Sequence, residues 1–107
     1  MTDHELLELA AKAAGIERLP PMRFEWRQWN PLIDDGDALR LAVKLRLNLN
    51  FAEWDGADFV CATPHPRLHQ GQEEVMDDDE NAATRRAIVR AAAEIGKATP
   101  PTKEPTP

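Results

Sequence analysis

Between Trp29 and Val43 the chain reads Trp-Asn-Pro-Leu-Ile-Asp-Asp-Gly-Asp-Ala-Leu-Arg-Leu-Ala-Val, and this stretch fixes both a change of direction and the start of a helix. Pro31 holds its own φ and drives Asn30 out of the helical region, which presets a turn. Asp34 or Asp35 can then accept the free amide hydrogens of a first helical turn, and Asp37 places more negative charge at the positive end of the helix dipole. Ala38, Leu39, Ala42, Val43 and Leu45 mark an apolar side, while Arg40, Lys44 and Arg46 supply cations along the polar side and toward the C-terminal end. A capped amphipathic helix of this kind needs an apolar surface to lie on, and the rest of the chain is read for one.

Before it, Thr2-Asp3-His4-Glu5 has the spacing of a capping box. Leu6, Leu7, Leu9, Ala10, Ala13 and Ala14 follow at helical spacing and Gly15 supplies a left-handed stop, so residues 3–14 are predicted as the first helix. Pro20-Pro21 enforces an extended connector. In residues 22–28, Met22, Phe24 and Trp26 alternate with Arg23, Glu25 and Arg27, as a strand with one buried face requires.

After the central helix, Leu47, Leu49 and Phe51 alternate with Asn48, Asn50 and Ala52, predicting a strand whose apolar side faces the helices. The turn Trp54-Asp55-Gly56-Ala57 and the apolar run Phe59-Val60-Cys61-Ala62 complete a hairpin. From Thr63 the pattern stops: Pro64, Pro66, Gly71 and an acidic run predict a loop of about seventeen residues. Asn81 or Asp79 caps a last helix reaching about Ala98, with Ala87, Ile88, Ala91, Ala92 and Ile95 as its buried stripe. The tail 99–107 carries four prolines in nine residues and no apolar anchor, and is expected to be disordered.

The order α-β-α-β-β-α over residues 1–98 predicts one α/β (α+β) domain, a three-stranded sheet with three helices. Helices on both faces would make a small α/β/α sandwich; helices on one face would make a two-layer α+β domain, and the residues alone fit either. A chain of 107 residues holds one modest core, so homodimerisation is a hypothesis that follows from size. No apolar run is long enough to span a membrane, Met1 to Gly15 does not read as a secretory signal, and the single Cys61 fits a reducing cytoplasm.

Net charge is −6, and residues 73–80 hold six acidic groups and no basic one, the remainder balancing at thirteen against thirteen. That distribution argues against general nucleic-acid binding, which needs clustered cations to displace counterions from phosphate. The acidic run lacks the spaced pattern of a calcium loop, and Cys61, His65 and His69 give only three zinc ligands where a closed site takes four, so no metal or other cofactor is expected.

Trp29, just past the strand at 22–28, is the better aromatic for ligand stacking, with simple packing as its alternative. Arg85, Arg86 and Arg90 form the one cationic cluster suited to an anion, or else a solvated face that balances the acidic loop. Together Trp29, Asn30, Asp34, Asp35, Asp37, Arg40, Arg85 and Arg86 are the residues to which ligand or partner binding is assigned. Asp34, Asp35 and Asp37 are the only close carboxylates on a defined scaffold, and helix capping already explains them, so catalysis ranks last and no catalytic residue is assigned.

The block WNPLIDDGDALRLAVKL, with the distant segment from Ala83 to Gly96, resembles the phage ABA-sandwich domain family of small phage and prophage proteins. The resemblance covers the element order from the first helix to about residue 98; its detail sits in those two blocks, and residues 47–80 match only in pattern. It implies an α/β/α sandwich acting in a bacterial host cytoplasm, and it implies no established activity. On that footing the expected role is a non-enzymatic accessory protein that binds a host protein or a small nucleotide-like ligand, with counter-defence as one such role. A phage structural or assembly role is the alternative.

Overall fold

The protein is described by a computed structural model over residues 2–15, 29–64 and 71–98. The strand expected at 22–28, His65, His69 and the tail lie outside the described residues. The elements are α1 (Asp3–Ala14), α2 (Asp35–Leu45), β1 (Asn48–Trp54), β2 (Ala57–Thr63), β3 (Gln72–Val75) and α3 (Glu80–Ala98), which is an α+β protein with three helices and a three-stranded antiparallel sheet.

Each helix starts where its side chains offer an acceptor. Thr2 Oγ1 accepts from the Glu5 amide at 3.1 Å while Glu5 Oε1 accepts from the Thr2 amide at 2.9 Å, the reciprocal box the spacing predicted. Gly15 closes α1 at φ 76°, donating back to Ala11 and Lys12. Of the two aspartates able to cap α2, Asp34 does so, accepting from the Asp37 amide at 2.8 Å. Asp79 caps α3 through the Ala82 amide at 2.9 Å. Helix α2 stops at Arg46, whose left-handed φ of 55° is unusual for a residue with a Cβ.

The hairpin turns on Asp55 and Gly56 at φ 57° and 83°, the two successive positive values of a type I′ turn and the reason an Asp-Gly pair stands there. The register runs from Trp54 opposite Ala57 through Phe51 opposite Val60 to Asn48 opposite Thr63. Residues 72–75 were expected within a loop and instead form β3, with Val75 opposite Phe59 and Gln72 opposite Ala62. Glutamates favour strands little, but the backbone of β2 offers an unfilled edge, and Glu74 is met from α3 by two arginines.

Helix α3 lies over β2 and β3 on one side and takes α1 and α2 on its other side. Its small residues permit this double burial. Ala87 and Ala91 meet Val60 and Ala62 of the sheet, while Ile88, Val89, Ala92 and Ala93 join Leu6, Leu7, Ala10, Ala38 and Leu41. The single stripe expected of α3 is therefore two, adding Val89, Ala93 and Gly96, and Ile95 is only half-buried. At Gly96 the helices come so close that a Cβ would stand 2.1 Å from the Leu9 carbonyl oxygen.

Two expectations about apolar faces hold only in part. On α2 the buried positions are Ala38, Leu41 and Ala42 with Leu45 beside them, whereas Leu39 and Val43 face outward. Positions 38, 41, 42 and 45 keep strict i, i+3, i+4, i+7 spacing, and 39 and 43 lie a helical step off that stripe. Leu47, just before β1, and Leu49 reach the core, and Phe51 keeps to the same side as Leu49 but is 58% exposed, because β1 is an edge strand and α3 covers its neighbours.

Among the described residues no helix is long and apolar enough to cross a membrane.

Candidate functional site

The segment from Trp29 to Asp37 is a folded joint tied to α2 and α3. The Asn30 amide donates to Asp37 Oδ2 at 2.8 Å, its side-chain oxygen accepts from the Leu32 amide at 3.1 Å, and its carbonyl accepts from the amides of Ile33 and Asp34. One asparagine thus satisfies three backbone groups before the helix begins. Trp29 is half-buried with its ring against the helical core beside Leu32.

The charges at this joint neutralise one another. Arg85 Nε donates to the Leu32 carbonyl at 2.8 Å and its Nη1 to Asp35 Oδ1 at 2.6 Å. Asn81 adds a bond to Asp35 Oδ2 at 3.2 Å, and Arg40 Nη2 sits 2.8 Å from Asp37 Oδ1. Arg86 faces Asp3 at 3.3 Å and Glu74 at 3.9 Å. Arg90 donates to the Glu74 carboxylate and to the Glu73 carbonyl.

The structure thus brings Asn30, Asp34, Asp35, Asp37 and Arg85 together, sets Arg40 at their margin, and directs Arg86 elsewhere, to Asp3 and β3. Asp34 is occupied as a cap. Arg85 is largely covered while Arg86 and Arg90 are partly exposed and balance Glu74 of the acidic run, and an anion reaching any of the three would have to displace a carboxylate already in place. Glu74, which pairs with two of the three, was hidden by its position in a run that reads as a loop.

Arg85 consequently behaves as a structural clamp between α3 and the turn. With its side chain only 16% exposed, Arg85→Met keeps the aliphatic stem, strips the Leu32 carbonyl and Asp35 of their donors, and is expected to lower stability by about 1–3 kcal/mol in urea unfolding. Unchanged stability would mean that the guanidinium is spare and open to a ligand.

A second surface emerges from the register. Side chains alternate along a strand and paired residues share a face, so Leu49, Phe51, Val60, Ala62 and Glu74 lie on the α3 side. The opposite, outward face carries Ala52 and Trp54 from β1, Ala57, Phe59 and Cys61 from β2, and Glu73 and Val75 from β3. An antiparallel sheet covered on one side ordinarily turns polar residues outward. Here Trp54 is 72% exposed and Val75 47%, with Phe59 between them half-buried.

The charge on the sheet and its flanks is of one sign. Residues 48–63 and 71–80 hold nine acidic side chains, Glu53, Asp55, Asp58, Glu73, Glu74 and four in the run from Asp77 to Glu80, with no lysine or arginine; of the strand carboxylates, Glu73 is on the outward face and Glu53, Asp58 and Glu74 are on the α3 side. Glu74 alone among them is taken up by arginines of α3. The sequence reading missed this surface because it placed Trp54 in the turn and weighed only one face of the hairpin. Alternation carried through Ala52, Trp54, Ala57 and Phe59 was the available signal.

Among the described residues no three His, Cys, Asp or Glu side chains are grouped to hold a metal ion. Comparison of the chain with protein-family models, with curated proteins and with solved structures finds no match.

Proposed function

We propose that this chain is a non-enzymatic accessory protein of a phage or prophage, working in the host cytoplasm by holding a host protein against the outward face of its sheet. The observation that carries the proposal is the apolar strip of exposed Trp54 and Val75 with half-buried Phe59 between them, on a hairpin and third strand that carry acidic side chains and no lysine or arginine. Exposed apolar surface rimmed by polar groups is the usual mark of an interaction site, and tryptophan is the commonest anchor of binding energy. The partner that fits is a protein with an apolar pocket surrounded by lysine and arginine. Complementary charge of this kind speeds encounter and sets the docking register.

The phage setting comes from the resemblance of the blocks at 29–45 and 83–96, and the binding role from the sheet face. A nucleotide-like ligand has less support, since the arginines that would receive its phosphates are engaged by carboxylates.

The test is capture from host lysate by the tagged protein, by Trp54→Ser and by Leu39→Ser. The proposal expects one basic protein, held less well as salt rises, with affinity about thirtyfold lower for Trp54→Ser, the loss of about 2 kcal/mol that defines a binding hot spot. Leu39→Ser, altered on the outer side of α2, should capture as well as the parent. Capture indifferent to Trp54, or no capture, contradicts the proposal.

A further inference from the structure

The sheet ends on one side at β1, whose far edge has no strand beside it among the described residues. An open edge is an invitation to pair, and proteins that must stay single block it with lysine, proline, a bulge or a short strand. β1 has none of these. Seven residues, Asn48–Trp54, run without proline, lysine or interruption of register, and Glu53 is their only charge.

The turn fixes which backbone groups are available. A two-residue type I′ hairpin closes on a pair that exchanges both its hydrogen bonds, here Trp54 and Ala57. Alternation then directs the N–H and C=O groups of Ala52, Asn50 and Asn48 toward β2, and those of Leu49, Phe51 and Glu53 toward the open edge.

We infer that two copies of this chain associate through that edge, the two β1 strands pairing antiparallel about a two-fold axis at Phe51 to join two sheets into one. The register is chosen by three features of the strand. Placing Phe51 opposite Phe51 sets Leu49 opposite Glu53 of the other copy, so the backbone groups of all three residues that point to the open edge find bonding partners. A shift by two residues either way leaves one residue of each strand unpaired.

No like charges meet in this register, because each Glu53 faces a leucine. Just beyond the strand ends, each Asp55 falls opposite Leu47 of the other copy, one residue from its Arg46. Asp55 and Arg46 are both exposed, both are held at left-handed φ, and neither has an ion pair among the described residues. The strand is thus bracketed by a cation and an anion, and an antiparallel second copy brings the two together. Finally, the two Phe51 rings meet on the α3 side, which covers the large apolar side chain a single copy leaves in water.

This goes beyond the partner-binding proposal and does not depend on it: the edge serves self-association, and the outward face stays open for a host protein. An isologous contact of this kind closes with two copies and does not propagate.

Sedimentation velocity over a range of concentrations tests it on the purified full chain. The parent should sediment at twice the chain mass. Phe51→Lys, which puts two ammonium groups across the axis, should weaken association by about a hundredfold or more. Phe51 is exposed in the single copy, so circular dichroism and thermal unfolding of this variant at low concentration should match the parent. Asp55→Asn keeps an Asn-Gly turn of the same type while removing one rim charge per copy, and should weaken association several-fold with less salt dependence. A parent of single-chain mass at every concentration overturns the inference, as it would if another protein or peptide occupied the edge. So does a dimer indifferent to Phe51→Lys.

Discussion

Gly96→Ala is expected to destabilise the protein by about 2 kcal/mol, although alanine in a helix ordinarily gains about 1 kcal/mol over glycine. The reason lies in the contact between α3 and α1. An added Cβ would stand 2.1 Å from the Leu9 carbonyl oxygen and 2.8 Å from its carbon, and both belong to the backbone of α1, which cannot swing aside as a side chain can. Accommodating the methyl group means moving one helix away from the other along a contact built on Ala10, Ala14, Ala92 and Ala93. Thermal unfolding should report a fall in Tm of roughly 8–16 °C, at about 4–8 °C per kcal/mol for a domain of this size. A neutral or raised Tm would mean that the helices do not approach this closely.

Leu41→Ala should lower stability by about 2–5 kcal/mol, the range for a leucine truncated in a packed interior, while Leu39→Ala should change it by less than about 0.5 kcal/mol. Leu41 is 3% exposed within the cluster that joins all three helices, whereas Leu39, two residues earlier, is 60% exposed. Urea unfolding of the two variants side by side distinguishes the faces of α2. Equal losses would place both leucines against the core.

That pair of leucines also shows how far the fold was legible. The cap at Thr2, the stop at Gly15 and the Asp55-Gly56 turn depend on neighbours within a few residues and local chemistry alone predicts them, while for the other two helices it narrows the cap to one of two residues, Asp34 and Asp79 being the ones used. The order of the three helices and the hairpin held for the same reason; the stretch at 22–28 lies outside the described residues, and β3 stands where a loop was expected. Which side of α2 is buried was decided by α3, more than forty residues away in sequence, and Leu39 and Val43 are apolar enough to mislead a reading of the helix by itself.

β3 was illegible because its sequence does not prefer a strand. It forms where β2 has an edge to fill and where Arg86 and Arg90 lie across from Glu74. The binding residues divide in the same way. Asn30, Asp35, Asp37 and Arg85 were assigned to ligand or partner binding, and within the structure Asn30 and Arg40 bond Asp37 while Arg85 bonds Asp35. The outward face could be assembled only once the register placed Trp54, Phe59 and Val75 side by side from three strands.

Hydroxyl-radical footprinting of the chain, alone and with the host protein that the proposal expects it to capture, tests the assignment of that face most directly, because it reads the solvent exposure of individual side chains. Trp54 and Val75 should be oxidised readily in the free protein and several-fold less in the complex, while Leu39 and Val43 on the outer side of α2 stay unchanged. Undiminished oxidation of Trp54 with protection at Ile33, Leu39 and Val43 would contradict the account and move the partner onto α2.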